Sequence, residues 1–415
     1  MKLFSSISAI SLFALTLTAC SSSNDTGEGN NEEAAFVYES WDNDFYTPTD
    51  EELAEPTTDI VADYGAACDA SEDISSLLQQ AIDQVSASGG GIITFPQGEY
   101  LFRDIEMRSG VKLHIDHNVT LHPNYNTTSR ISMFEFGMDQ DGDNYIEDAA
   151  IIGIGGRFKM ILVEQSDNAK AIRPFFFRAV KGFTVANIHI EDVKTQLPML
   201  AFGPTEDGEL LGATDGRIMC ISANNCHYGY GVVQAQCALD CHFEKLSGVG
   251  GVTMRLETGE EDMNSAQRGG VFDITADRIY CHSGNSAAMA SPHSMQNGSV
   301  SFSNIVADAC GFAIRVDGGY VSSKYEGDLA AGAFVSVTVD GVMSRYGETA
   351  QVKSKHFGYY IPSSLQYLCP AGDENDVSEP CPSVAAVVNE ANYPSSVENV
   401  VAIGYAGPDI LYEEP

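Results

Sequence analysis

Two side chains of opposite charge stand two residues apart in the run Val252-Thr-Met-Arg-Leu-Glu257. The run alternates with period two, as a half-buried strand does, so Arg255 and Glu257 share a face about 7 Å apart at ~3.4 Å per residue. Breaking a glycosidic bond needs a carboxylic acid that protonates the leaving oxygen. It also needs a second carboxylate, ~6.5–9.5 Å away for inversion or ~5–5.5 Å for retention. Glu257 is the candidate acid. By itself the pair is weak, because a Glu beside an Arg on a strand is more often a structural ion pair.

The surrounding stretch, residues 250–298, continues with Thr258-Gly259, a polar loop containing Glu260 and Glu261, a second alternating run from Val271 to Tyr280, and a turn at Ser291-Pro-His293. Strand, turn, strand, turn with no helical period is the texture of a solenoid. Further β-rich runs recur along the chain, among them Val111–Ile115, Phe183–Ile190, Gly231–Ala235, Val300–Ile305 and Phe334–Val339. Val271 and Val300 are 29 residues apart, as are Cys281 and Cys310. That spacing predicts rungs in register, with the two cysteines stacked ~4.8 Å apart as a thiol ladder or a disulfide. Residues 395–403 read as a last rung, and 345–390 as a loop insertion.

Ahead of the strands, Ile74, Leu77, Leu78, Ala81, Ile82 and Val85 fall at helical spacing and are followed by Ser88-Gly-Gly-Gly91. With Asp63-Tyr-Gly65 before the helix and Phe95-Pro-Gln-Gly-Glu-Tyr100 after it, this segment resembles the N-terminal cap of the pectate-lyase-like right-handed parallel β-helix. A helix there covers the open end of a solenoid. The fold class expected is all-β, a right-handed parallel β-helix with an N-terminal capping helix.

The first twenty residues carry Lys2, a short apolar run and Leu17-Thr-Ala-Cys20, an export signal of the lipoprotein type. Residues 1–20 are read as signal peptide with lipidation at Cys20, 21–50 as a polar tether, and 51–415 as the β-helix domain. The expected location is the outer membrane or cell surface, with the lipid as the sole membrane contact. The chain has ten cysteines, nine without Cys20, and Cys369 with Cys381 is the favoured disulfide. The loop Asp139-Gln-Asp-Gly-Asp143 offers Asp139, Asp141 and Asp143 as hard oxygen ligands suited to calcium, with a solvated acidic loop as the plain alternative.

With 22 Lys and Arg against 58 Asp and Glu, the formal net charge is −36. Nucleic acid is thereby excluded as a partner, since phosphate neutralisation supplies its affinity. Any polyanionic ligand requires basic residues gathered in one cleft or bridging cations. A salty habitat suffices to explain the acidic surface.

The pattern Gly229-Tyr-Gly-Val-Val-Gln234, Gly250-Gly-Val-Thr-Met-Arg-Leu-Glu-Thr258, Arg268-Gly-Gly270, Pro292-His293 and Asn297-Gly298 resembles glycoside hydrolase family 82, the iota-carrageenases. The resemblance is strongest over residues 225–320 and thin after 345. It implies an inverting β-helical hydrolase of β-1,4 bonds in a sulfated red-algal galactan, acting as a monomer. It requires no cofactor, and leaves a bound calcium, sodium or chloride ion open. Glu257 matches the family's acid and Arg255 its neighbour. His293 matches an active-site His, Gln234 a Gln near the catalytic water, and Arg315 a substrate-contacting Arg. His227, His242 and His282 lie outside the pattern and are read as structural.

One position departs. The family's base is the Asp two residues after the acid, and here that residue is Gly259. The alternatives are Glu260 or Glu261 reaching back, His293 or Asp317 taking over, an altered substrate and mechanism, or a surface protein that grips polysaccharide without cutting it. If a base was lost, Gly259→Asp is expected to raise the rate. A uronate-cleaving lyase also fits the cap, but the basic cluster such an enzyme uses is missing. An unsaturated, ultraviolet-absorbing product separates the two readings.

Overall fold

The computed structural model describes residues 44–126, 130–138, 144–162, 171–206, 208–353 and 380–412. Lipidation at Cys20, calcium ligation by Asp139, Asp141 and Asp143, and the Cys369 half of the expected disulfide lie outside them. The described residues belong to one compact unit, Tyr38–Pro415.

The chain is an all-β solenoid in which every pairing between named strands is parallel. One stack holds ten strands in chain order, among them Ile172–Phe177, Leu200–Phe202, Val233–Ala235, Val252–Glu257, Ser286–Ser291 and Phe312–Val316. The others form a continuous set of 17 strands. Its long members bend at a shared corner. Asn187, Cys220, Lys245, Arg278, Asn304, Gly341 and Asn399 occupy equivalent positions on seven successive rungs, and all have positive φ, from 54° to 81°. One left-handed residue redirects a strand onto the next face, and Asn and Gly bear that conformation at least cost.

Period-two alternation sends Phe136, Phe177 and Phe202 inward as a stack. Their successive ring centroids lie 4.7 and 4.4 Å apart, and Phe243 continues it at 5.6 Å. Phe176 and Arg178, out of phase with Phe177, are thereby placed on the outer face. In the same way Met254 and Leu256 are buried while Arg255 and Glu257 face out. The capping helix spans Ser75–Ala87 and buries Leu78, Ala81, Ile82 and Val85. It is followed by glycines that no other residue replaces without strain: at Gly90 a Cβ would meet the Gly110 carbonyl oxygen at 2.7 Å, and the φ is +97°.

 For its neighbour Gly89 it is +98°, so both glycines are left-handed where the chain leaves the helix.

Three expectations need correction. Cys281 stands opposite Ala307 and Ile274 opposite Val300, an offset of 26 (307 − 281, 300 − 274) and not 29. Rungs in this chain have no fixed period, because the sheets constrain only the strands and the turns absorb any length: Gln234 to Arg255 is 21 residues (255 − 234) and Glu257 to Ser291 is 34 (291 − 257). Cys281 and Cys310 are buried free thiols, and burial together with the neighbouring Cys281 pushes the Cys310 thiol well up. The polar stretch after Gly259 is a short helix, Glu261–Ala266, in a region read as free of helix. The run from Val271 breaks at Asp273, which has φ 53° and separates Val271–Phe272 from Ile274–His282.

At the ends, ordered contacts reach back past residue 51. The Tyr46 amide donates to Asn187 Oδ1 at 2.7 Å, and Asn187 Nδ2 donates to the Tyr46 carbonyl at 2.8 Å. Strand Val387–Asn389 already belongs to the ten-strand stack, and Ser395–Ile403 pairs as a rung with Ala333–Arg345. Among the described residues no helix is long and apolar enough to cross a membrane.

Candidate active site

The ten-strand stack carries the site on its outer face. Phe176, Ala201, Gln234, Arg255, Met289 and Arg315 follow one another across successive strands, one residue per rung. Gln234 and Arg255 are thereby set side by side from positions 21 residues apart. Glu257, two residues beyond Arg255, emerges on the same face.

Glu257 is the centre of a closed network. Its Oε2 pairs with Arg255 Nη2 and accepts from Gln234 Nε2 at 3.2 Å, and its Oε1 lies 3.3 Å from His293 Nε2. Arg255 Nη1 also donates to the Gly229 carbonyl. Burial acts to raise the Glu257 carboxyl, but Arg255 and His293 outweigh it and bring it down to about 2, so the side chain is an anion in the free protein.

His293 is held by its backbone and its ring. Its φ is 50°, and its carbonyl accepts from the amides of Tyr320 and Gly332, both at 2.8 Å. Its Nδ1 lies 2.5 Å from Tyr325 Oη, and Tyr320 Oη lies 3.1 Å from Nε2. Burial pushes the Tyr325 hydroxyl up to about 12, so it stays protonated. When Tyr325 donates to Nδ1, the imidazole proton sits on Nε2 and points at Glu257. Neither tyrosine was found from the sequence; both come from the segment between Phe312–Val316 and Ala333–Arg345, and the signal was slight.

Gly259 explains the seat of that ring. A Cβ there would stand 2.7 Å from His293 Cε1 and 2.8 Å from Nε2, closer than real Cβ contacts come. The imidazole fills the space a side chain at 259 would use. A carboxylate introduced by Gly259→Asp therefore enters only if the His293 ring gives way.

The other predicted residues are dispersed. Glu260 lines the groove, but its carboxylate caps the following helix, accepting from the Met263 amide at 2.6 Å. Buried Asn264 locks that helix to the strand end, donating to the Thr258 carbonyl at 2.7 Å and accepting from Ser294 Oγ at 2.6 Å. Glu261 is exposed in the first helical turn. Arg315 stands two rungs from Arg255 and pairs with Asp317, Nε to Oδ1 at 2.7 Å. His293 contacts Glu257 directly, which leaves no room between them for the water of an inverting reaction. His227, His242 and His282 are bonded to their neighbours, Tyr228, Thr275 and Asp308.

The groove above this network has a volume of about 840 Å³. Arg130, Arg173, Arg178, Arg255 and Lys324 line it, against Glu206, Glu257, Glu260 and Asp262. In a chain of net charge −36, an excess of cations at one groove is a local arrangement and not a reflection of composition. Arg173 and Arg178 were missed in the sequence; the signal was Arg173-Pro-Phe-Phe-Phe-Arg178, two cations five residues apart in a cation-poor chain. Among the described residues no three His, Cys, Asp or Glu side chains converge as a metal site.

No family model matches the chain. An iota-carrageenase of Zobellia galactanivorans is 32% identical over 337 residues, covering 81% of this chain and 68% of that protein. The chain belongs to the iota-carrageenase family. A second iota-carrageenase, of Alteromonas macleodii, is 33% identical over 284 residues, 68% of this chain and 56% of that one. A solved iota-carrageenase in complex with iota-carrageenan fragments superposes with TM-score 0.79 at 26% identity, over 92% of this chain and 95% of that one. The family 82 iota-carrageenase of A. fortis superposes at 0.76 with 26% identity, over 91% of this chain and 93% of that one. A bacteriophage HK620 tailspike, 14% identical with TM-score 0.55, shares the fold alone.

Proposed function

We propose that this protein is an endo-acting glycoside hydrolase that cuts β-1,4 linkages of a sulfated galactan of the iota-carrageenan type, by inversion, with Glu257 as proton donor. The observation that carries the reading is the buried Glu257–Arg255–Gln234–His293 network at the floor of a cation-lined groove. Similarity to iota-carrageenases supports it, one solved as "1,3-alpha-1,4-beta-D-galactose-4-sulfate-3,6-anhydro-D-galactose-2-sulfate 4 galactohydrolase".

A proton donor must be neutral when the glycosidic oxygen arrives. Sulfate esters entering the groove compete for Arg255, and weakening that ion pair leaves burial as the dominant influence on Glu257, which raises its pKa. The proton is then taken up from solvent, while His293 Nε2, 3.3 Å away, holds the carboxyl in place. Glu260 is the water-activating carboxylate in this reading. Three residues of chain span at most ~10 Å, which is compatible with the inverting separation once Glu260 releases the Met263 amide.

Outside the catalytic domain, residues 1–20 act as a lipoprotein signal, the residues from 21 to the Asp44–Tyr46 contacts as a tether from lipidated Cys20, and the enzyme works at the cell surface. A second reading, a protein that grips the polymer without cutting it, draws on the glycine and imidazole at the family's base position.

The test is reducing-end release and product length on a panel of carrageenans and agars. Glu257→Gln is expected to lower release ~10²–10⁴-fold while retaining polymer binding, and Glu260→Gln to lower it comparably. Full activity of Glu257→Gln removes that residue from the mechanism. Polymer retardation without new reducing ends in the unsubstituted protein selects the second reading.

A further inference from the structure

Within the substrate groove Arg173 and Arg178 share the Phe176 ring, their Cζ atoms 3.4 and 4.7 Å from its centroid. A second groove, of about 510 Å³, lies on a different face of the solenoid. Arg157, Lys159, His189, Asn224, Tyr280 and His282 line it, together with two serines and a valine, and among the described residues no Asp or Glu does. In a chain with 58 Asp and Glu against 22 Lys and Arg, a lining free of acids is not what composition supplies.

The floor of this groove is the part of the 17-strand set that follows the corner at Asn187, Cys220, Lys245 and Arg278. Lys159, His189, Ser222, Ser247 and Tyr280 stand opposite one another on five successive strands, a row ~19 Å long at ~4.8 Å per rung. Ile188 and Ile190 are buried beneath it, so period two turns His189 outward. Asn224 and His282, two residues beyond Ser222 and Tyr280, share that face. Turns at 192–199 and 227–232 separate these strands from the ten-strand stack, so the row and Glu257 are on different faces.

The carboxylates nearest the row are engaged inside the fold. Glu191 Oε1 lies 2.7 Å from His189 Nε2 and accepts from Asn224 Nδ2 at 3.4 Å. Asp308, beside His282, accepts from Arg345 Nε at 2.7 Å and Nη2 at 2.6 Å. Arg157 is anchored by its Nε, which donates to the Cys220 carbonyl at 2.9 Å. Lys159 is exposed and pairs with no carboxylate among the described residues.

A ligand that fits is anionic, to meet Arg157 and Lys159, and rich in hydroxyls, to use Asn224, the serines and the imidazoles. It is also extended, because a polar row crossing five rungs suits a chain better than a single ion. The polymer of the proposed function has all three properties.

We infer that this groove is a second polysaccharide-binding site, which holds a further stretch of sulfated galactan on a face remote from the reacting atoms. The identity of the polymer rests on the proposed function; the cationic row does not. Holding the polymer at a second face raises its effective concentration at the Glu257 groove without adding a contact there.

The experiment places Lys159→Glu, Tyr280→Ala and the double variant beside the unsubstituted protein. Polymer binding is read as retardation in native gels containing iota-carrageenan or its desulfated form, at two salt concentrations, in a Glu257→Gln background so that the polymer stays intact. Reducing-end release from the polymer and from short oligosaccharides is measured with Glu257 in place, and a circular dichroism melt checks folding. Affinity for the sulfated polymer is expected to fall about fivefold in Lys159→Glu and about tenfold or more in the double variant, with a smaller salt dependence. KM for the polymer should rise in step, while kcat, and kcat/KM on short oligosaccharides, hold within about twofold. Lys159→Glu should bind the desulfated polymer as the unsubstituted protein does. If Tyr280→Ala fails to fold, Lys159→Glu carries the test, since its side chain is exposed. Folded Lys159→Glu with unchanged affinity for the sulfated polymer overturns the second site and leaves the hydrolase standing, and so does an equal loss on short oligosaccharides. Unsubstituted protein that releases no reducing ends, yet binds the sulfated polymer in a Lys159-dependent way, overturns the hydrolase and leaves the second site.

Discussion

The two ends of the groove handle charge in opposite ways. At the Glu257 end a single carboxylate is surrounded by Arg255, Gln234 and His293, each in contact with it. At the Arg173 end Arg130, Arg173 and Arg178 stand against the exposed Glu206 and the buried Glu135, so the cations outnumber effective counter-charges. A network closed before substrate arrives fixes the geometry of a reacting group, as preorganised sites do. The contrast teaches that one face of a uniform stack of strands can carry a closed charge network and a cation-rich one within a few rungs, because each rung contributes its outward residue independently.

The sharpest way to break the comparison is to open the closed end. Arg255→Gln leaves Glu257 buried without its main cation, and activity is expected to fall ~10²-fold or more, measured as reducing-end release. The same variant has a pH signature. The folded pKa of Glu257, about 2, lies below its ordinary value of 4.5, so the network contributes stability that is present above pH 4.5 and is lost as pH falls toward 2. Thermal melts of the two proteins should therefore differ by about 5 °C near neutrality and converge as pH falls from 4.5 toward 2. A constant gap across that range would show that the carboxylate is not held down by Arg255.

Next in size, Gly259→Asp is expected to lower activity about tenfold, because the new side chain meets the His293 ring. A rise in rate would show that His293 yields and that a base had been missing. Gly259→Ala separates the two effects, since it supplies the clash without the carboxylate.

The smallest expected effect is that of Tyr325→Phe. It removes the partner of His293 Nδ1 and leaves the ring packed, so kcat should fall a few-fold and the pH profile should shift while KM for the polymer holds. An unchanged profile would assign Tyr325 to packing alone. The arginine end should be indifferent to all four substitutions, and altered affinity for sulfated chains would mean that the two ends are coupled.

Much of this site was legible before any coordinates. Period two in Val252–Glu257 decides that Arg255 and Glu257 share a face, and the structure gives the same face to both. Gln234, Glu257 and His293 were assembled by matching motifs across gaps of 23 and 36 residues. The contacts at 3.2 and 3.3 Å show that the solenoid closes those gaps. What failed was arithmetic on a period: a 29-residue repeat put Cys281 opposite Cys310, and the structure puts it opposite Ala307. The helix at Glu261–Ala266 was also missed, as six residues give too little periodicity to register against a polar loop.

Local patterning settled the strands, their inward and outward faces, the capping helix and the shared face of Glu257 and its flanking cation, because each depends on neighbours within a few residues. Which rung lies beside which was decided by the folded stack, since turns of any length satisfy the same strand pairing. So were the seating of His293 in the space left by Gly259, the engagement of Glu260 as a helix cap and the meeting of Arg173 with Arg178 over Phe176. Those are contacts between side chains brought together in three dimensions, and no periodicity along the chain encodes them.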